Sequence, residues 1–239
     1  MAADPADKTG LLSGWKGAAL AGVVGALIGG GVMMAASGSF VRSYLLEHPE
    51  VLPEAMERLR AREGSRVVTA NRAAIETPYA GAWAGAKDGD VVLVEFFDYA
   101  CTYCRRSNAD VDRLLKEDPK LKVVWREWPV LGRDSEAAAR ASLAAAEAGK
   151  FRAFHDALYA AGRPTPDAVA AAQAAAGVAP PASPQAGDGE LARNFQLANT
   201  LKASGTPTFV VGDRILQGAV GYEALKQAVA EARAGAKAG

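Results

Sequence analysis

A continuous apolar run that ends just before two closely spaced cysteines constrains the fold more than any other feature of the sequence. The run is Val91–Phe97, with Glu95 as its only charged residue, and such a run is typical of a central strand buried on both faces. We expect a turn at Asp98–Ala100, a helix from Cys101 to about Lys116 and a second strand at residues 121–128. Strand, helix and strand in this order predict a parallel βαβ unit.

The rest of the chain is predicted to form several helices, a hairpin and a last helix. Alanine-rich helical segments bounded by glycine or proline are expected at residues 135–148, 151–161, 165–177 and 191–203. Gly212-Asp213 separates two short β-type runs, 208–211 and 214–217, which predicts a hairpin, and an amphipathic helix follows at 222–232. The whole order is βαβ, a helical insert, then ββα.

Composition and charge exclude several classes of protein. The 239 residues carry 27 basic and 27 acidic side chains, so there is no basic field to attract nucleic acid, and an acidic disordered tail is also excluded. Two cysteines are too few for a disulfide-stapled mini-protein or a four-cysteine zinc site. The two histidines, His48 and His155, are interpreted as structural or surface residues rather than ligands.

The chemistry is predicted to lie at Cys101 and Cys104. On the first turn of a helix this spacing places both sulfurs on one face, where they can close an intramolecular disulfide with little backbone movement. Free backbone N–H groups and the positive end of the helix dipole favour an anion at Cys101, so we expect it to be the nucleophilic thiolate of low pKa. Cys104 is expected to be the less exposed resolving thiol. Thr102 and Tyr103, between the cysteines, tune the thiolate.

Glu95 is the second informative residue, because an ionised, unpaired carboxylate inside a buried strand is costly. Its position near the turn allows it to exchange a proton with Cys104. The alternative is a carboxylate at a strand edge that is bonded to backbone. Arg105 and Arg106 either add positive charge near the cysteines or are solvated helix residues. At Thr206-Pro207 a cis bond would make a tight turn before the strand, although trans is the ordinary form.

The N-terminal part contains a stretch without charges, residues 17–41, between Lys16 and Arg42. It is long enough to span a bilayer, and we favour an uncleaved membrane anchor. The alternatives are a cleaved signal peptide and a buried glycine-rich core helix. Residues 39–62 then predict a short amphipathic helix whose stripe, Leu52, Met56 and Leu59, packs on its own domain or on another subunit. Residues 63–88 predict a further helix and a polar link.

An ordered set of motifs from about residue 88 to residue 232 resembles the DsbA family of thioredoxin-fold thiol-disulfide oxidoreductases. The motifs are Val94-Glu95-Phe96-Phe97-Asp98-Tyr99, Cys101-Thr102-Tyr103-Cys104-Arg105, Trp128-Pro129-Val130-Leu131-Gly132, Ser135 with Ala137 and Ala138, Phe154-His155-Asp156-Ala157-Leu158, and Gly205-Thr206-Pro207-Thr208-Phe209. A shorter segment, Ser43-Tyr44-Leu45-Leu46-Glu47-His48-Pro49-Glu50-Val51-Leu52, is similar to the N-terminal segment of the ScsC-like branch, some of whose members oligomerise through it and isomerise disulfides.

The resemblance implies an α/β fold of the thioredoxin type with an inserted α-helical domain, preceded by an N-terminal membrane or signal helix and a short helical stalk. It implies that Cys101 is the nucleophile, Cys104 the resolving cysteine, Glu95 the buried proton-transfer carboxylate and Pro207 the cis-proline that faces the disulfide. The strongly oxidising members carry Pro-His between the cysteines, where this chain has Thr102-Tyr103, and Thr206 is more like the isomerising relatives. We expect the domains to be 1–38, 39–77, 78–133, 134–204 and 205–239.

The predicted function is that of an extracytoplasmic oxidoreductase that forms or isomerises disulfides in exported proteins. Its only cofactor is the Cys101-Cys104 disulfide, and its expected partners are cysteine-containing exported proteins, a membrane redox partner and further copies of the chain bound through residues 40–62. We expect a periplasmic protein tethered to the inner membrane, or a soluble one after signal cleavage. The alternatives are a reductase fed from the membrane and a protein that binds Cu(I) or Zn²⁺ through the two cysteines.

Overall fold

The computed structural model describes residues 40–236, and its contacts separate the described chain into a unit ending at Arg58 and a unit beginning at Leu59. The predicted anchor or signal segment, residues 1–38, lies outside the described residues, as does all but the end of the uncharged stretch. Within residues 40–236 no helix is both long enough and apolar enough to cross a membrane.

Two helices make up the N-terminal part of the described chain: α1, residues 40–47, and α2, Val51–Glu76. We expected a short helix that ends near residue 62 and a separate helix after it, and this was wrong because α2 is continuous. Pro53 lies in the first turn, where a missing N–H group costs nothing. Gly64 does not break the helix, and it lies beside Ile215 of the last strand, 3.4 Å from where a Cβ at this position would be.

A five-stranded mixed sheet forms the centre of the unit from Leu59 onward. The strands are β1 (Trp83–Gly85), β2 (Val91–Phe97), β3 (Leu121–Glu127), β4 (Thr208–Val211) and β5 (Arg214–Gln217), in the spatial order β1-β3-β2-β4-β5. β2 and β3 are parallel, whereas the other three pairs are antiparallel. The βαβ unit and the hairpin are confirmed, whereas β1 lies in the segment that we expected to be a link.

The central position of β2 follows from its composition. Six of its seven residues are buried and the remaining one is half-buried, as expected for an apolar strand covered on both faces. Leu93 and Phe97 face the larger core with helices α3 (Thr102–Glu117) and α5 (Phe151–Ala161), while Val94 and Phe96 face a second core with α2.

The helical insert contains α4 (Arg133–Glu147), α5, α6 (Pro166–Ala176) and α7 (Asp188–Thr200). The predicted caps of α6 are confirmed: the Thr165 hydroxyl accepts the N–H of Ala168, and Gly177 has φ +66°. The predicted bounds of α7, 191–203, lie about three residues too far toward the C-terminus compared with the observed helix. The helix begins at Asp188, whose carboxylate suits the positive end of the helix dipole, and ends before Lys202, which has φ +53°.

The last helix, α8 (Tyr222–Ala236), covers the sheet beside α3 and is longer than the predicted 222–232. Arg233 donates hydrogen bonds to Asp90 and Asp118. These contacts hold the last turn of α8 and account for the additional length.

Candidate active site

The turn between β2 and α3 places Cys101 at the N-terminus of a helix. Cys101 is the N-cap residue, with φ −76° and ψ 118°, and its carbonyl accepts the N–H of Arg105 at 3.2 Å. Its own N–H donates to the main-chain carbonyl of Asp98 at 3.1 Å. The sulfur of Cys101 therefore lies near the unpaired N–H groups of the first helical turn, as predicted.

The two cysteines are free thiols and differ strongly in their environment. Cys101 is 6% exposed and Cys104 is fully buried. A hydrogen bond from the Cys104 thiol, together with hydrogen bonds from Thr206 and the helix backbone, lowers the pKa of Cys101 to about 5 despite partial burial. Burial, then the hydrogen bond with Cys101 and the nearby Glu95, raise the pKa of Cys104 far above its usual range. At neutral pH Cys101 is thus a thiolate, while Cys104 keeps its proton.

Glu95 lies in the buried centre of β2, not at an edge, so the strand-edge alternative was wrong. Its Oε2 accepts the indole N–H of Trp125, the residue beside it in the parallel register, at 3.1 Å. Its Oε1 is buried and has no hydrogen-bond partner. Burial raises the pKa of Glu95 to about 8, and the hydrogen bond from Trp125 only partly opposes this. The carboxyl is therefore protonated at neutral pH and interacts with both cysteines.

The loop before β4 covers the sulfur of Cys101. The bond Thr206-Pro207 is cis, and the main-chain carbonyl oxygen of Thr206 lies 3.2 Å from the Cys101 sulfur, where it accepts a hydrogen bond when the thiol is protonated. The side chain of Thr206 also lowers the pKa of Cys101. β4 pairs with β2 and places Phe209 beside Glu95. This pairing brings Thr206 and Pro207 next to the cysteines, although Thr206 and Cys101 are more than 100 residues apart in the sequence.

Three of the four residues between and directly after the cysteines are exposed on α3, and the fourth, Arg105, is not. Thr102 and Tyr103 are exposed, and the guanidinium of Arg106 lies 5.5 Å from the centre of the Tyr103 ring. Arg105 is not a free surface side chain: it donates to the main-chain carbonyls of Tyr159 and Gly162 and so joins α3 to the insert.

Sequence reasoning did not single out Asp98, Trp125 and Tyr159, which the structure places around the cysteines and Glu95. Asp98 accepts several backbone N–H groups around the cysteine turn, Trp125 binds Glu95, and the hydroxyl of Tyr159 donates to the carbonyl of Asp98 at 3.1 Å. The parallel strand register offered one signal, since it pairs Glu95 with Trp125. The contact of Tyr159 depends on how the insert folds back, which no local pattern encodes.

The two histidines occupy different settings. The side chain of His48 is 48% exposed, whereas His155 is buried between the rings of Phe97 and Tyr159. In the part of the chain that the structure describes, no cluster of three or more His, Cys, Asp or Glu side chains could hold a metal ion.

A thiolate at a helix N-cap, a buried partner thiol, a buried carboxyl and a cis-proline loop on a sheet of this topology define the class of thioredoxin-fold thiol-disulfide oxidoreductases. Within this class the chain belongs to the family of the DSBA-like thioredoxin domain, which matches residues 92–230. Residues 35–64 match the N-terminal domain of the copper resistance protein ScsC. The family resemblance inferred from the sequence is confirmed.

Solved structures support the same assignment. A thioredoxin-like oxidoreductase from Silicibacter pomeroyi is 39% identical, with a TM-score of 0.63 over 69% of this chain and 98% of that one. A periplasmic thioredoxin-like protein from Salmonella enterica is 30% identical, with a TM-score of 0.64 over 68% and 95%. ScsC of Proteus mirabilis in a transitional conformation is 28% identical, with a TM-score of 0.65 over 82% and 93%.

Curated proteins with a matching segment are larger. The chain is 33% identical over 162 residues to the Na(+)/H(+) antiporter NhaA 3 of Salinispora tropica, a match that covers 64% of this chain and 25% of the antiporter. The chain thus spans about a quarter of the length of the curated relatives it matches.

Proposed function

We propose that this protein forms or isomerises disulfides in exported proteins, with Cys101 as nucleophile and Cys104 as resolving cysteine. The observation that carries the proposal is the contrast between the two thiols: the pKa of Cys101 is about 5, whereas the pKa of the buried Cys104 is raised. A cysteine of low pKa is both a thiolate at neutral pH and a good leaving group.

In the oxidising direction a substrate thiolate attacks the Cys101 sulfur of the Cys101-Cys104 disulfide. The S–S bond breaks, a mixed disulfide with Cys101 forms, and Cys104 leaves with the electron pair. A second substrate thiolate then attacks the substrate sulfur of the mixed disulfide, and Cys101 leaves as a stabilised thiolate. The substrate loses two electrons and gains a disulfide, while the cysteine pair is reduced.

In the isomerising direction the Cys101 thiolate attacks a non-native substrate disulfide. One substrate sulfur leaves as a thiolate and attacks another disulfide of the same substrate, and a substrate thiolate finally displaces Cys101, so no net oxidation occurs. If rearrangement fails, Cys104 attacks Cys101 and releases a reduced substrate. Thr206 before the proline and the ScsC-type N-terminal segment favour this second mode.

Glu95 is proposed to hold the proton that Cys104 needs when it leaves. A buried Cys104 thiolate is energetically unfavourable, and the pKa of the Cys104 thiol is raised for this reason. The carboxyl of Glu95 is protonated at neutral pH and lies close enough to interact with this sulfur. Glu95 can therefore donate a proton as the disulfide opens and take it back as the disulfide closes.

The assignment of the cysteines is tested by two substitutions in the full chain. Cys101→Ser should abolish disulfide exchange with a reduced or scrambled substrate protein. Cys104→Ser should retain attack by Cys101 but accumulate mixed disulfides, which non-reducing gels and mass spectrometry detect. Failure of Cys104→Ser to trap any substrate, with Cys101 still reactive toward an alkylating reagent, would contradict the proposed roles.

We also propose that residues 40–62 bind further copies of the chain. Seven large apolar side chains in this segment are exposed: Phe40, Val41, Tyr44, Leu46, Leu52, Met56 and Leu59. Their exposure on helices that match an ScsC N-terminal domain favours a second copy as the occupant. Several active sites held in one assembly would suit isomerisation.

The oligomer is tested by the mass of the full chain in a mild detergent. Leu52→Glu combined with Met56→Glu should convert the assembly to monomers, whereas Arg60→Glu, which adds a carboxylate at a polar position of the same helix, should not. A wild-type protein that is already monomeric at micromolar concentration would contradict this part of the proposal.

The proposed location is the periplasm, with residues 1–38 as an inner-membrane anchor or, alternatively, a cleaved signal. The proposed domains remain 1–38, 39–77, 78–133, 134–204 and 205–239. A membrane protein would reoxidise the cysteine pair. A reduction potential between about −120 and −180 mV would support an oxidant or isomerase, whereas a value near −270 mV would favour the reductase alternative.

A further inference from the structure

Asp98, the residue before the cysteine turn, binds the backbone of that turn through two hydrogen bonds. Asp98 directly follows β2 and is 1% exposed. Its Oδ1 accepts the N–H of Ala100 at 2.7 Å, and its main-chain carbonyl accepts the N–H of Cys101 at 3.1 Å. A side-chain bond to the backbone two residues ahead is the means by which aspartate fixes a turn. Asp98 thus orders the backbone on which Cys101 stands.

The other carboxylate oxygen of Asp98 binds a different loop. Oδ2 accepts the N–H of Val130 at 2.8 Å and that of Leu131 at 3.0 Å. These residues follow β3, and β2 and β3 are parallel, so both loops leave the sheet at the same edge. The carboxylate therefore joins the cysteine turn to the neighbouring loop through three backbone N–H groups.

A third element contacts the same residue. The hydroxyl of Tyr159, from α5 of the helical insert, donates to the main-chain carbonyl of Asp98 at 3.1 Å. Arg105, one residue after Cys104, donates to the carbonyl of Tyr159. Asp98 is consequently the point at which the sheet edge, the neighbouring loop and the insert all hold the turn.

We propose that Asp98 is a positioning residue, which holds Cys101 at the N-cap of α3 by binding the backbone of both loops. The proposal rests on the proposed function in one respect: Cys101 is taken as the nucleophile. The thiolate of Cys101 depends on hydrogen bonds from the Cys104 thiol and from the first helical turn, and these bonds require the sulfur to stay over the helix end.

The sign of the effect separates positioning from charge. A carboxylate that acted on Cys101 only through its negative charge would disfavour the thiolate, so its removal would lower the pKa of Cys101. Loss of the turn geometry has the opposite result, because the thiolate loses hydrogen bonds. Positioning thus predicts that removal of the Asp98 carboxylate raises the pKa of Cys101.

The experiment measures alkylation of the reduced full chain by iodoacetamide as a function of pH, with the modified cysteine identified by mass spectrometry. Asp98→Ala removes all three carboxylate contacts, and we expect at least a tenfold decrease in the acid dissociation constant of Cys101. Asp98→Asn keeps the shape and one acceptor oxygen, and should give a smaller change in the same direction. An unchanged or increased dissociation constant in a folded variant overturns the proposal.

A destabilised control separates this effect from general loss of stability. Leu197 is buried in the core on the other face of the sheet, with Val94 and Phe96. Leu197→Ala should lower the melting temperature without changing the pH profile of Cys101, and an equal change in this control would overturn the proposal. Should Asp98→Ala fail to fold, Asp98→Asn decides the question.

The alkylation profile needs no substrate protein. A failure of the proposed function appears as the absence of mixed disulfides in Cys104→Ser, whereas a failure of the positioning role appears as an unchanged profile in the Asp98 variants. The two results can therefore be told apart.

Discussion

The buried charged side chains on the two faces of the sheet at strand β3 have different surroundings. Arg126 points to the face covered by α2 and α7 and is fully paired there: it donates to the main-chain carbonyls of Ala74, Ile75 and Thr77 and to the side chains of Glu190 and Asn194. On the face toward the cysteines, both carboxylate oxygens of Glu127 and one of Glu95 are buried without hydrogen-bond partners.

This difference separates a structural role from a chemical one. A buried guanidinium whose donors are satisfied fixes the end of α2 against the sheet, and its protonation does not change at physiological pH. On the other face burial raises the pKa of Glu95 and of Glu127 and so favours the neutral form of each carboxyl. Ionisation of such a carboxyl lowers the stability of the folded state. The carboxyl can exchange a proton near neutral pH only where its surroundings bring its pKa close to 7.

The largest effect is expected on the paired face. Arg126→Met keeps much of the side-chain volume but leaves Glu190, Asn194 and three carbonyls without their donor. We expect a loss of about 3 to 5 kcal/mol in the free energy of unfolding, measured by urea denaturation at pH 7. Arg126→Met combined with Glu190→Met should recover part of this loss, since the buried charge is then removed. A loss below about 1 kcal/mol would show that the pairing does not stabilise α2.

The next effect concerns Glu95 and has a definite pH dependence. The carboxyl loses its proton near pH 4.5 in an ordinary environment but near pH 8 in the folded protein. Below about pH 4.5 the carboxyl is protonated in both the folded and the unfolded state, and the folded protein has its full stability. Between about pH 4.5 and pH 8 only the unfolded state releases the proton, so the free energy of unfolding falls as the pH rises. Glu95→Gln stays neutral, so it should become more stable than the wild type as the pH rises through this range, by on the order of 5 kcal/mol at pH 9.

Thermal or urea unfolding of the reduced proteins at pH 5, 7 and 9 measures this difference. The same variant should slow disulfide exchange by tenfold or more, as expected for loss of a general acid. Glu127→Gln is the matched control, because Glu95 is among the groups that shift the pKa of Cys104, whereas Glu127 is not. Cys101 likewise shifts the pKa of Glu95 but not that of Glu127. Equal slowing by both variants would contradict the role assigned to Glu95.

Local patterns predicted most of the framework around this site. The apolar run of β2, the glycine-bounded helix Phe151–Ala161 and the Gly212-Asp213 hairpin all have signals that lie within a few residues. The N-cap at Cys101 also follows from its place between a turn and a helix. These features could be predicted because their causes are local in the chain.

The pairing of buried polar groups could not be predicted in the same way. Arg126 binds residues about 50 positions before it and more than 60 positions after it. In the sequence Asp98 is typical of an ordinary turn residue. Only the strand register of the folded protein places Val130 and Leu131 at its carboxylate. The same holds for Trp125, whose indole meets Glu95 only because β2 and β3 are aligned in one register.

The smallest expected effect tests a paired polar contact near Glu127, between Tyr99 and Ser142. The hydroxyls of Tyr99 and Ser142 lie 2.8 Å apart, buried between the cysteine turn and α4. Tyr99→Phe removes one hydroxyl and keeps the ring, so we expect a loss of about 1 kcal/mol in unfolding free energy at pH 7. Tyr99→Phe with Ser142→Ala should cost less than the sum of the two single changes, because both remove the Tyr99–Ser142 hydrogen bond. The sum is the reference here because Ser142→Ala also removes a hydroxyl that lowers the pKa of Glu127. A loss above about 3 kcal/mol, or full additivity of the two changes, would mean that Tyr99 also stabilises the buried carboxyl of Glu127. The difference between the two faces of the sheet would then be smaller than the hydrogen bonds indicate.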